Sequence, residues 1–203
     1  ETQRIVMENS RLKIPLIFGF DVIHGYKTIF PIPLGESASW DLTSIEQSAA
    51  IAAKEASASA LNWTFAPMVD VSRDARWGRV MEGGGEDSYL STQIAVARIK
   101  GFQGNDLSKP YTIAACAKHF AGYGFAEAGR DYNTVSISEY DLHNVILPPF
   151  KAAAQAGVAT FMNAFNDLNG IPATGHTYLQ RDLLKGKWNW EGFVVSDSWV
   201  IQD

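Results

Sequence analysis

The sequence predicts an α/β fold, a (β/α)8 barrel of the TIM type, with about five strand–helix units in its 203 residues. Three observations point there. Short apolar runs alternate with amphipathic helical stretches along the chain, and alternation with long crossovers builds a parallel sheet. The runs are apolar almost throughout, not at every second residue, as strands covered on both faces are. Each run also ends in polar residues: Asp21, Asp70, Lys118-His119, Asn163 and Asp197. A doubly wound sheet fits the alternation as well, but it would string those ends along a line. A barrel brings the carboxyl ends of its strands to one mouth, where active sites are built, and convergence from five strands favours it. A complete barrel usually takes about 250 residues. The barrel is therefore expected to be incomplete here and to continue past Asp203.

The elements follow in order. A helical pattern covers residues 1–11, and the first strand is read over 14–21. Residues 44–61 place Ile45, Ala49, Ala52, Ala53 and Ala56 at helical spacing. The second strand covers 63–70, and the helix at 87–102 carries Leu90, Ile94, Ala97 and Ile99 on one face. The third strand covers 112–120. Ser136-Ile-Ser-Glu139 has the form of a capping box ahead of the third helix, which Pro148-Pro149 should interrupt and Gly157 should end. The fourth strand covers 159–163, a fourth helix 177–188, and the fifth strand 192–197. No internal repeat or long linker divides residues 1–203, which read as one partial domain.

Composition excludes several functions. Seventeen basic against 22 acidic residues, with no Lys/Arg run, offer nothing to a nucleic acid. No apolar stretch approaches the ~20 residues that cross a bilayer, so membrane insertion is not expected. Cys116, the single cysteine, lies in an apolar run and reads as a buried, inert thiol. The four histidines lack HxH or HExxH spacing, so no metal is expected. The Gly-rich segments Glu82-Gly-Gly-Gly-Glu-Asp87 and Gly122-Tyr-Gly124 complete neither a dinucleotide fingerprint nor a P-loop, and no organic cofactor is expected. No GxSxG elbow is present.

The chemistry-bearing candidates are the strand-end residues. Gly192-Phe-Val-Val-Ser-Asp197 ends a buried strand in a carboxylate, which is costly beside apolar residues unless it is paired or used. Alone, Asp197 reads equally well as an N-cap. Lys118 and His119 are neighbours on one strand and should point to opposite sides, so both reach the mouth only if the backbone turns there. Arg76 and Arg79 follow the second strand; one should orient a substrate through its rigid donor fork while the other braces the loop. Asp21 can accept hydrogen bonds from two vicinal sugar hydroxyls, and His24 reads as structural, tied to backbone near Gly25.

Together these segments resemble glycoside hydrolase family 3, in particular its bacterial β-glucosidases of periplasmic type. The resemblance rests on residues 14–25, Phe30-Pro31, Ala66-Pro-Met-Val-Asp-Val-Ser-Arg-Asp-Ala-Arg-Trp-Gly-Arg79, Gly85-Glu-Asp87, Lys118-His-Phe120, Tyr132-Asn-Thr-Val135, Leu168-Asn-Gly170 and Val195-Ser-Asp197, in the family's order. It implies retaining hydrolysis of terminal β-glucosides or cello-oligosaccharides through a glycosyl-aspartate on Asp197. Asp21, Arg79, Lys118, His119 and Met162 would hold the sugar, with no metal or cofactor. A retaining mechanism needs a second carboxyl group about 5–5.5 Å from the first. In this family it usually comes from a C-terminal α/β domain, the partner expected here. The loop Ala121-Gly-Tyr-Gly-Phe125 lacks the histidine of the N-acetylglucosaminidase branch. Phe165 replaces a common tyrosine and Ser198 a common tryptophan, with Trp199 one residue on, which leaves the preference for the leaving group open. The resemblance further implies a periplasmic or secreted protein. The alternatives are an inactive or weakly sugar-binding barrel fragment, or a related β-xylosidase or N-acetylglucosaminidase.

Overall fold

The computed structural model describes residues 1–201. In chain order its helices are α1 (Thr2–Asn9), α2 (Pro33–Ser37), α3 (Leu42–Ala58), α4 (Ser88–Gln103), α5 (Glu139–Asp141) and α6 (Leu147–Gln155). Its strands are β1 (Gly19–Phe20), β2 (Trp63–Thr64), β3 (Cys116–Phe120), β4 (Thr160–Asn163), β5 (Asp167–Leu168), β6 (Ile171–Pro172) and β7 (Phe193–Val195). Two π-wound segments, Leu142–Ile146 and Tyr178–Lys187, and short 3-10 turns complete the helical content of the described residues.

Five strands run parallel and lie side by side in chain order. Gly19 pairs with Trp63, isolated bridges join Trp63 to Ala114 and Met68 to Lys118, Ala117 pairs with Phe161, and Phe161 with Val194. The order β1-β2-β3-β4-β7 never reverses, as a doubly wound sheet does at its switch point. Four helical crossovers link these five strands. β5 and β6 form a separate antiparallel hairpin after β4.

The strands are shorter than the apolar runs suggest. Ile14, Leu16 and Ile17 are exposed and join no strand, Leu16 exchanging its backbone hydrogen bonds with the Gln3 side chain instead, so only the end of the first run joins the sheet. In the second run Pro67 has no N–H to give, and the ladder is carried on either side of it. Cys116 N donates to Ala66 O (2.8 Å), and Val69 N donates to Lys118 O (2.8 Å).

Helix ends follow local chemistry. Asp41 caps α3 by accepting from Ser44 N, and Asp87 caps α4 by accepting from Leu90 N. The capping box expected at Ser136 lies two residues later: Ser138 Oγ accepts from Asp141 N (3.0 Å). Pro148-Pro149 do not interrupt the third helix. They occupy the first turn of α6 directly after the π-wound turn, and the Val145 carbonyl, which Pro149 has no N–H to meet, accepts from Ser88 Oγ at 2.8 Å instead. Gly157, at φ +76°, stops that helix. Its N–H reaches Ala154 O and the N–H of Val158 reaches Ala153 O, the pair of bonds that closes a Schellman end.

The core lies between the sheet and its helices. Phe120 meets Phe150 edge to face at 5.3 Å, Phe161 packs tilted against both at 5.5 and 6.3 Å, and Trp190 meets Phe161 edge to face at 4.8 Å. α3 and α4 approach closely because their contact face is small: a Cβ on Gly101 would stand 2.3 Å from Glu46 O and 2.6 Å from the Ala49 Cβ. A side chain there would force the helices apart.

Candidate active site

The carboxyl ends of the parallel strands surround a cavity of about 470 Å³. Asp21 enters it just past β1, Lys118 from β3, Met162 from β4 and Asp197 just past β7. Arg79 enters from the loop after β2, immediately ahead of a single 3-10 turn over Val80–Glu82. Ile23, Trp63 and Phe65 supply an apolar wall, on which Trp63 and Phe65 meet edge to face at 4.8 Å. Trp63 Nε1 donates to Thr160 Oγ1 (2.8 Å), which fixes the indole across β2 and β4.

The charged wall is tightly paired. Arg79 grips Glu82 through two hydrogen bonds of 2.6 and 2.8 Å. Lys118 Nζ donates to Asp21 Oδ1 at 3.1 Å and stands 4.0 Å from Glu82 Oε2. Lys118 is buried while Asp21 is exposed, so the ammonium comes from within and meets a carboxylate at the rim. Burial works against the Arg79 charge, but the Glu82 bonds outweigh it and hold the guanidinium cationic. Burial would also raise the Glu82 carboxyl; Arg79 and Lys118 overcome it and keep it below the usual carboxylate range.

His119 stands apart from the other sequence-derived candidates. Its side chain is wholly buried and forms none of the cavity lining. Its Nδ1 lies 2.8 Å from Asp70 Oδ2, its Nε2 lies 3.5 Å from Asp197 Oδ2, and the Tyr123 and Phe165 rings flank it at 5.0 and 5.9 Å. Neighbouring strand residues should point to opposite sides, yet Lys118 and His119 both face the site. The register of β3 against β4 shifts between Ala117 and Phe120, and this irregularity turns the backbone as required. Asp197 accepts from Ser198 N at Oδ1 (2.7 Å) and turns Oδ2 toward His119.

The two loop arginines divide as their spacing suggests: Arg76 pairs with Asp74 at the surface, while Arg79 lines the cavity. His24 Nδ1 contacts Phe30 O at 3.1 Å and fixes its own loop. Cys116 is fully buried, and burial pushes its thiol up to about 12. Among the described residues, no group of three His, Cys, Asp or Glu is arranged to hold a metal ion. A second cavity of about 730 Å³, lined by Tyr132, Phe165 and Trp199, shares Asp197 and Ser198 with the first.

Sequence reasoning passed over Glu82, Asp70, Trp63 and Phe65. Glu82 sits in a Gly-rich segment inspected only for nucleotide binding, although its i,i+3 spacing from Arg79 was a usable sign of pairing. Asp70 was noted as a strand end without a partner.

Comparison with known proteins places the chain in a family. The family model "Glycosyl hydrolase family 3 N terminal domain" matches residues 1–203. The chain is 45% identical over 203 residues to a periplasmic beta-glucosidase of Salmonella typhimurium, covering all of this chain and 26% of that protein. A putative beta-xylosidase of Formosa agariphila is 36% identical over 205 residues, covering 98% of this chain and 27% of that protein. A mutant beta-glucosidase from Listeria innocua solved with laminaribiose superimposes with a TM-score of 0.96 at 45% identity, covering 98% of this chain and 28% of its own. The chain thus spans roughly a quarter of the length of these relatives. It belongs to glycoside hydrolase family 3, as a member of that family's N-terminal domain.

Proposed function

We propose that this chain carries the sugar-holding and nucleophilic part of a retaining β-glycosidase that releases terminal β-D-glucose from β-glucosides or cello-oligosaccharides. The observation that carries the reading is the single cavity shared by Asp21, Arg79, Lys118, Met162 and Asp197. Sugars present hydroxyls at their edges and C–H groups on their faces, and the cavity offers both kinds of partner. Asp21, Arg79 and Lys118 bind hydroxyls, while Trp63 and Phe65 take the ring face. Asp197 attacks the anomeric carbon as the bond to the leaving oxygen breaks, and water then cleaves the glycosyl ester with net retention.

The leaving oxygen must take a proton from a second carboxyl group. Asp21 and Glu82 are poor sources, because Lys118 and Arg79 already engage them as carboxylates. The acid therefore comes from sequence outside this chain, in a further domain of the same polypeptide. The relatives' greater length supports this. The unreversed strand order supports an arc of a (β/α)8 barrel that such sequence completes. The second cavity, beyond Asp197, seats the leaving group, with exposed Trp199 as its stacking surface. The named periplasmic relative supports a periplasmic or secreted protein, and no described helix is long and apolar enough to cross a membrane.

The test is turnover of 2,4-dinitrophenyl β-glucoside, whose leaving group needs no acid. Asp197→Asn should reduce it by about 10³-fold or more, and a 2-deoxy-2-fluoro-glucoside should label Asp197. Hydrolysis by Asp197→Asn at the unmutated rate would remove the assignment. Relatives named as β-xylosidases supply the second reading. Comparing β-glucoside with β-xyloside and N-acetylglucosaminide in the native polypeptide decides the sugar, with glucoside expected to be the best substrate.

A further inference from the structure

Behind Asp197 lies a buried pair that the proposed reaction leaves unused. Asp70 and His119 are both shut off from solvent. A single oxygen, Asp70 Oδ2, accepts the His119 backbone N–H at 2.9 Å and lies 2.8 Å from the ring Nδ1. The other ring nitrogen, Nε2, is buried without a hydrogen-bond partner and faces Asp197 Oδ2 at 3.5 Å. The rings of Tyr123 and Phe165 confine the imidazole on either side.

Two proton arrangements are open to this pair. With Asp70 ionised and the neutral ring protonated on Nδ1, Nε2 turns a lone pair toward a carboxylate oxygen. Two acceptors then face each other away from water, and a buried polar atom goes unsatisfied. With one more proton held between Asp70 and Nδ1, Nε2 carries an N–H, and its contact with Asp197 becomes a charge-assisted hydrogen bond. The second arrangement also leaves the pair without net charge, which burial favours.

We infer that Asp70 is a positioning residue for the nucleophile: it shares a proton with His119 Nδ1 and so keeps an N–H on Nε2 aimed at Asp197. The inference rests on the reading of Asp197 as nucleophile. Burial acts in the same direction, pushing the Asp70 carboxyl up to about 7 and holding the His119 imidazole well below its usual range. The charged groups facing the pair are Arg79 and Glu82 from the loop after β2, Lys118 from β3 and Asp197 from the end of β7; the Tyr123 hydroxyl, pushed up by burial, stays neutral. As pH rises through about 7 the pair gives up its shared proton, Nε2 loses its N–H, and activity falls over that interval.

Asp70→Asn tests this in the native polypeptide. The His119 backbone N–H selects the amide oxygen of the new side chain for the Oδ2 position. That oxygen then holds the ring in its Nδ1–H form, with a lone pair toward Asp197. Shape and folding are kept while the proton is lost. We expect kcat/KM for dinitrophenyl β-glucoside to fall about 100-fold, and the loss of activity near neutral pH to disappear from what remains. In a His119→Gln background, where the side-chain amide donates to Asp197 unaided, Asp70→Asn should change kcat/KM by less than about threefold. An Asp70→Asn enzyme with unaltered rate and pH profile overturns the inference and leaves the nucleophile in place. An active Asp197→Asn enzyme overturns the nucleophile reading instead. Should Asp70→Asn fail to fold, nitrogen-15 spectra of His119 in the unmutated protein decide: Nε2 protonated below pH 7 supports the pair, and an Nδ1–H ring overturns it.

Discussion

The two sides of the cavity are built differently. On the β1–β3 side each of these charges is countered and half are buried: Lys118 between Asp21 and Glu82, Arg79 on Glu82, and Arg98 on Glu36 behind them. Arg98 NH1 meets Glu36 Oε2 at 2.5 Å, Ser48 Oγ donates to Glu36 Oε1, and Arg98 also donates to Ile23 O, which ties the loop after Asp21 to α2, α3 and α4. On the β7 side, Phe193 is half exposed, Trp199 is 78% exposed, and β7 pairs only with β4 among the described residues. One wall of the site is therefore held by a network of fixed charges. The other presents the Asp197 carboxylate at the end of β7, held by the Ser198 N–H and facing His119 rather than paired with a cation. Groups that orient a substrate gain from rigidity, because a misplaced donor loses its advantage in the transition state.

The sharpest way to break the contrast is to remove a counter-charge where nothing else can replace it. Glu36→Ala leaves the Arg98 guanidinium buried and unpaired, and should cost about 3–5 kcal/mol in urea denaturation. Replacing both partners, as in Glu36→Leu with Arg98→Met, should recover much of that loss, because an apolar pair leaves no orphan charge. If Glu36→Ala cost no more than a surface substitution, the front wall would not be held by this pair.

Glu82→Gln addresses the cavity itself and should act mainly on binding. Arg79 keeps one acceptor but loses its bidentate grip, and Lys118 loses a neighbour 4.0 Å away. A charge-assisted hydrogen bond is worth about 1.5–3 kcal/mol, so KM for a β-glucoside should rise about 10- to 100-fold with a smaller change in kcat. The acid response should change too. The folded Glu82 carboxyl lies below its ordinary value of 4.5, so its contribution to stability is complete above that value and is lost as pH falls through the lower folded one. Glu82→Gln should flatten the acid-denaturation curve over that interval. An unchanged KM would show that the Arg79–Glu82 pair does not organise the site.

The same contrast explains what could be read from the sequence. Asp197, Lys118 and Asp21 were legible because each closes an apolar run, and a charge in that position has few inexpensive explanations. The helices 42–58 and 88–103 were legible from alanine spacing and aspartate caps. The burial of His119 was not legible: strand alternation assigns faces, but the β3 register shift overrides it, and that shift depends on pairing with β4. Glu82 was hidden among glycines whose motif was inspected for phosphates. Residues 14–17 carry the composition of a strand, yet no strand among the described residues pairs with them. An apolar run states a preference for burial, and only a partner turns it into a strand.

The smallest expected effect lies on the β7 side and sharpens the contrast most. Trp199 is largely exposed, so Trp199→Ala should leave the urea midpoint nearly unchanged, within about 0.5 kcal/mol. Its consequence should appear only when the leaving group is itself a sugar. One aromatic contact contributes about 0.5–1.5 kcal/mol, which corresponds to a KM for a glucosyl disaccharide raised about 2- to 12-fold. An aryl glucoside with a small leaving group should be hydrolysed as before. If Trp199→Ala weakened both substrates equally, the tryptophan would be supporting Asp197 rather than the leaving group.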